Sequence, residues 1–263
     1  METSKVKRKR FMEMALNRVG EVRLNNMGTP MIVDSYKNSQ DVWVRFPQGN
    51  LVNCTWQSFV NGSVKNPLDR TKFFQGFIGL GKYKPTINSL NTPAYSVWSA
   101  MLERCFSEKY KQEHPTYKDV TVCDEWLNFQ VFSEWYENNY YQVDDYRMHL
   151  DKDILFKGNK VYSPDTCCII PQPINSLFVK RDKLRGDCPI GVRKNKTGKK
   201  FEALVNDGRE RHYLGVFSTP EEAFDAYKDK KEEVIKNVAK CYKGRIPDNI
   251  YNALMRYTVE ISD

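Results

Sequence analysis

The chain has 263 residues, 40% of them hydrophobic and 13% aromatic, with 41 Lys and Arg against 33 Asp and Glu for a net charge of +8. That length favours two or three small domains over one, and the composition is that of a folded chain rather than a disordered or collagen-like one. The cationic surplus points to a polyanion partner, nucleic acid before an anionic membrane, and no apolar run approaches the roughly 20 residues of a membrane span.

Near the start, Lys5, Lys7, Arg8, Lys9 and Arg10 are followed by no apolar stretch. The reading is a phosphate-contacting arm or a solvated tail, not a secretory signal. Residues 1–75 then form a first domain. Met31–Val33, Val42–Phe46 and Leu51–Thr55 are β-branched or aromatic runs separated by turn residues such as Gly28 and Gly49, which predicts a small barrel or curled sheet. Gly76, Gly79 and Gly81 lie in a linking stretch that lacks the Lys and Ser/Thr of a phosphate loop.

Residues 92–182 form a second domain. Thr92 and Pro93 suit the cap and first turn of a helix whose apolar face is Val97, Trp98, Met101, Leu102 and Cys105. A second helix is expected from Asp124 to Tyr136, then a strand from Met148 to Leu155, a turn at 156–160, a strand from Cys167 to Ile170 and a helix from Pro173. The seven cysteines include the neighbours Cys167 and Cys168 and no Cys-x-x-Cys pair. They read as reduced thiols of a cytoplasmic protein, with Cys105, Cys123, Cys167 and Cys168 in the core rather than on zinc.

Residues 188–263 form the third domain. Three strands are expected at Gly191–Lys194, Phe201–Val205 and Arg211–Phe217, joined by turns at 196–199 and 206–209. A helix opens with Thr219 as cap, Pro220 at the first turn and Glu222 closing a capping box, and it buries Ala223, Ala226, Tyr227, Val234 and Ile235. Phe201, Ala203 and Leu214 would cover that helix, leaving the other sheet face to Arg, Lys and His212. From Gly191 to Tyr213, Arg193, Lys194, Lys196, Lys199, Lys200, Arg209 and Arg211 outnumber Glu202, Asp207 and Glu210 by four. Arginines on a sheet of this width suit the major groove, with the turn lysines at phosphates.

The run Gly191-Val192-Arg193, Lys200 to Ala203 and Tyr213 to Tyr227 resembles the ethylene-response-factor (APETALA-type) DNA-binding domain. The resemblance implies a three-stranded sheet on one helix, double-stranded DNA as the partner, and Arg193, Lys194, Lys200, Arg209 and Arg211 as contacts; Lys196, Lys199 and His212 join them by position. The tryptophans that the plant domains carry in their strands are missing here, so base preference does not transfer. In the second domain, Trp98, Met101, Arg104 and Cys105, then Val122 to Phe132, Leu150 to Ile154 and Tyr162 to Asn175 resemble phage HNH-type (His-Me finger) homing endonucleases. That resemblance implies a ββα centre with Asp151 and Asn175 on a divalent cation, magnesium or manganese. Lys152 stands where the family has its catalytic histidine, and Thr166 where it has a loop asparagine. Lysine's ordinary pKa makes it a poor base, and its charge opposes a cation. His149, sharing a strand face with Asp151 and Asp153, could serve as the base with those acids on the metal.

The expectation is therefore an α+β chain with an N-terminal β-barrel-like unit, a helical HNH-like ββα domain and a C-terminal three-stranded sheet packed on one helix. Its function would be double-stranded DNA binding, with no membrane partner and no cofactor needed, in a phage or mobile element and hence in the host cytoplasm. A decayed nuclease centre would leave a regulator or counter-defence factor. The alternative is an active metal-dependent endonuclease using His149, Asp151, Lys152 and Asn175. In either case Lys152, Lys157 and Lys160 would lie near phosphates.

Overall fold

The computed structural model describes residues 6, 12–14, 17–179, 187–208 and 210–263. The basic residues Lys5 to Arg10, the Lys180–Gly186 run and Arg209 lie outside the described residues. The chain is α+β and divides into two compact units, Met1–Tyr95 with Asp124–Phe132, and Ser96–Cys123 with Ser133–Asp263. Among the described residues no helix is long and apolar enough to cross a membrane.

The first unit holds an antiparallel sheet of β1 (Val22–Leu24), β2 (Pro30–Asn38), β3 (Asp41–Arg45) and β4 (Leu51–Cys54), in that order. The expected barrel does not form: β1 and β4 stay at opposite edges, so the sheet is open. Alternation buries Met31, Val33, Val42 and Val44, and α1 (Trp56–Val60), capped by Thr55, adds Phe59 to the same core.

A long loop follows, through the short hairpin strands β5 (Thr86–Ile87) and β6 (Leu90–Asn91). It is anchored by side chains distant in sequence. Gln130 accepts from the Tyr83 N–H at 2.9 Å and donates to the carbonyls of Tyr83 at 2.9 Å and Ile78 at 3.2 Å. A Cβ on Gly79 would sit 2.1 Å from Asn128 Oδ1, and one on Gly81 2.3 Å from Gln130 Oε1. Those glycines serve close approach rather than a phosphate. Gln130→Ala should cost about 2–3 kcal/mol of first-unit stability, because three backbone groups lose partners together. Denaturant unfolding measures it, and a loss under about 0.5 kcal/mol would mean that water replaces the amide without penalty.

In the remaining chain, α2 (Pro93–Phe106) buries Trp98, Met101, Leu102 and Cys105 as its periodicity requires, with Thr92 Oγ1 accepting from Tyr95 N at 3.3 Å. Next come α3 (Glu108–Glu113), a 3₁₀ turn at Pro115–Tyr117 and β7 (Thr121–Val122). The helix expected from Asp124 to Tyr136 is instead a 3₁₀ turn, Asp124–Leu127, followed by α4 (Phe129–Asn139). The break falls at Asn128, whose side-chain oxygen takes the Gln130 N–H at 3.0 Å.

In the second unit, β8 (Met148–Asp151) pairs antiparallel with β10 (Cys168–Pro171), and α5 (Gln172–Ser176) follows directly. A strand of two residues, β9 (Val161–Tyr162), lies parallel to β7. The C-terminal part is the antiparallel sheet β11 (Val192–Lys194), β12 (Phe201–Asn206) and β13 (Arg211–Phe217), then α6 (Pro220–Cys241) and α7 (Asp248–Met255). The capping box is complete, Thr219 taking the Glu222 N–H at 3.2 Å and Glu222 taking the Thr219 N–H at 3.3 Å. The segments expected as separate second and third domains share an apolar core: Ile154, Cys168, Ile170 and Ile174 are buried with Val192, Ala203, Val205, Ala223, Phe224 and Ile235.

Candidate nucleic-acid interface

Strand register decides which side chains of the C-terminal sheet reach solvent. Across β11, β12 and β13, one row is Val192, Ala203 and Gly215, and the next is Arg193, Glu202 and Val216. A bulge follows: Leu204 pairs with Tyr213, leaving Leu214 unpaired, and Val205 and Asn206 pair with His212 and Arg211. Ala203 and Val205 are fully buried, so their rows cover α6. The opposite face carries Arg193, Glu202, Val216, Leu204, Tyr213, Asn206 and Arg211. Phe201 and Leu214 pack on the core as expected.

Several predicted contacts fall differently from the simple cationic face. His212 shares Val205's face, not the free one, and its Nε2 lies 2.7 Å from Asp207 Oδ2. The reason is alternation itself, since His212 is one residue from Arg211. Lys194 lies in the row of Phe201 and Phe217, at the end of the sheet where it is still exposed. Arg193 is on the free face but clamped, both Nε and a terminal nitrogen lying 2.8 Å from Glu202 Oε2. Arg211 is exposed and has no ion-pair partner among the described residues. Lys196, Lys199 and Lys200 are exposed on the turn between β11 and β12, which Asn195 organises by accepting from the Lys200 N–H at 3.2 Å. Sequence reasoning missed Tyr213, 57% exposed beside Leu204, and Val216 in the Arg193 row. Tyr213 could have been found by its spacing of two from Arg211.

The residues expected to form an HNH-like centre are also arranged differently from that expectation. Strand β8 ends at Asp151 instead of running to Leu155, because Asp151 Oδ1 accepts the N–H groups of Asp153 at 3.0 Å and Ile154 at 2.8 Å and turns the chain. Asp153 is thus off the strand, and its carboxylate meets Lys152 Nζ at 2.9 Å. Thr166 closes its own loop, donating to Val161 O at 2.9 Å. Asn175 is half-buried on α5. Among the described residues no three His, Cys, Asp or Glu side chains are gathered for a metal ion. In this arrangement Asp151 Oδ1 is taken by two backbone amides and the Asp153 carboxylate by a lysine. His149 Nε2 is buried without a hydrogen-bond partner among the described residues, and burial, with Arg147 and Arg104 nearby, holds its pKa below the ordinary value. Lys157 is not free for a phosphate: its ammonium lies 2.9 Å from Asp263 and donates to Thr258 O at 2.8 Å. Lys160 is exposed. The thiols of Cys105 and Cys167 are buried and pushed up to about 12 by that burial, as core thiols should be.

Burial, reinforced by Asp153, raises the Asp151 carboxyl from 3.8 to about 6. The protonated form therefore stabilises the fold fully below pH 3.8, and that contribution is lost as the pH rises through about 6. Asp151→Asn keeps an oxygen for both amides without the charge. Above pH 6 it should be more stable than the parent by on the order of 2 kcal/mol, the difference vanishing towards pH 4. Thermal unfolding across that range tests this, and a variant less stable at pH 7 would show that the carboxylate is compensated in the fold.

Compared with known proteins, the chain matches no family model, no curated protein and no solved structure.

Proposed function

We propose that this chain is a double-stranded DNA-binding protein of phage or mobile-element type, working as a regulator or counter-defence factor with a degenerate HNH-like centre. The observation that carries the reading is the geometry of the free sheet face. Arg193 stands on one edge strand at the level of Glu202, and Arg211 on the other at the level of Asn206. The two are thus about 13 Å apart along the strands and about 10 Å across them. A major groove is about 12 Å wide, so both arginines can reach one groove at once, with Tyr213 and Val216 against bases and the lysine turn at a phosphate backbone.

An active nuclease is the second reading, favoured by one feature: His149, its pKa lowered by burial and its buried Nε2 without a hydrogen-bond partner among the described residues, shares a strand face with Asp151. Incubation of the purified chain with long duplex DNA, with and without magnesium or manganese, separates the two on one gel. A mobility shift without cuts supports the binding protein. Metal-dependent cuts lost in His149→Ala would make it a nuclease, and neither shift nor cuts would remove the DNA reading.

A further inference from the structure

Lys72 and Gly76 pair in both directions, the Lys72 N–H to Gly76 O at 3.0 Å and the Gly76 N–H to Lys72 O at 2.8 Å. They close a tip made of Phe73, Phe74 and Gln75. Phe73 at φ 51° and Phe74 at φ 56° are both left-handed, a region where the side chain crowds the backbone and which Gly, Asn and Asp normally supply. Phe74 is also 80% exposed, the most exposed large apolar side chain described. Neither packing nor backbone preference accounts for a phenylalanine there, and strained positions of this kind persist where function holds them.

The surroundings of the tip are cationic. The Arg70 guanidinium donates to Gln75 O at 3.3 Å, and Lys72 Nζ lies 5.3 Å from the Phe73 ring. Neither has an acidic partner among the described residues. The neighbouring Asp69 is withdrawn, accepting from Asn25 Nδ2 and Thr29 Oγ1 at 2.7 Å each and from Asn66 Nδ2 at 3.1 Å. An exposed ring two to four residues from cations that lack an acidic partner among the described residues suits a base flanked by phosphates better than a protein surface.

We propose that the Lys72–Gly76 hairpin is a second DNA contact, in which the Phe74 ring stacks on an unstacked base or wedges into a base step while Arg70 and Lys72 meet the adjoining phosphates. This rests on the DNA-binding reading but names a different surface from the C-terminal sheet. It predicts a preference for DNA that is already unstacked, such as a duplex with a central bulge, over a perfect duplex of the same sequence.

The test uses the full chain and variants Phe74→Gly and Phe74→Asn, both of which remove the ring while tolerating the left-handed backbone. Each should unfold no earlier than the parent, bind a long mixed-sequence duplex about tenfold more weakly, and lose the preference for the bulged duplex. Opposite movement of stability and affinity is what a merely structural phenylalanine would not give. Parent-like affinity in both variants would overturn the hairpin contact while leaving the sheet reading intact, provided Arg211→Ala still weakens binding. A changed oligomeric state with unchanged DNA affinity would overturn it in favour of a protein contact. A parent chain that binds neither duplex would overturn both readings.

Discussion

Replacing Arg193 and Arg211 together by alanine is expected to weaken duplex binding by at least about 30-fold, since each arginine in a groove contributes about 1–3 kcal/mol. The two changes are not equivalent. Arg211 has no ion-pair partner among the described residues, whereas Arg193 must exchange Glu202 for DNA. Glu202→Gln should therefore tighten binding by freeing Arg193 and removing a like charge, while Arg211→Ala alone should cost more than Arg193→Ala, whose loss is offset by the broken ion pair. Affinity should also fall steeply with salt as counterions are released, and less steeply in the double variant. Fluorescence anisotropy on a long duplex at several salt concentrations measures all of this. Equal affinities for the parent and double variant would remove the sheet from the interface, and a salt-insensitive complex would point to a protein partner.

The largest expected effect on stability is at Gly191. Its φ is +76°, and a Cβ there would meet the Tyr227 ring at 1.9 Å from Cδ2 and 2.3 Å from Cε2. Tyr227 is buried on α6 in the core of the second unit, so it cannot swing out without opening the layer between sheet and helix. Gly191→Ala should cost about 3 kcal/mol or more, the strain of a left-handed alanine adding to overpacking. Gly198 provides the control: its φ is +73°, but nothing lies within 4 Å of the added Cβ, so Gly198→Ala should cost only about 1 kcal/mol. Denaturant unfolding of both variants makes the comparison. Equal losses would mean that the ring moves aside and only the backbone term remains.

Much of the C-terminal sheet and helix was legible because its signals are local. Asn195 to Lys200 and Asn206 to Glu210 carry turn chemistry within a few residues of each other, and Thr219, Pro220 and Glu222 define a helix start by spacing alone. The apolar face of α2 likewise follows from its period. The same local logic, applied strictly, would have moved His212 off the free face and put Tyr213 on it. It would still have failed at Phe217, which unbroken alternation from Arg211 sends outward. The bulge at Leu214, with Gly215 at φ 133°, resets the phase, so Val216 faces out and Phe217 in.

Element bounds in the middle of the chain were misread where side chains rather than periodicity set the path. Asp151 bends its own strand, and Asn128 divides a helix that its apolar spacing would have continued. By itself the sequence determined the α+β class, the strand–turn–strand order at the C-terminus, the cationic surplus and the helix caps, because each depends on neighbours within a turn or a hairpin. Only the tertiary structure decided that Gly79 and Gly81 wrap Asn128 and Gln130, that Lys157 is held by Asp263, that Glu202 clamps Arg193, and that Phe74 stands out on a strained hairpin. Contacts between residues far apart or across a ladder depend on register and close approach, which no local pattern encodes.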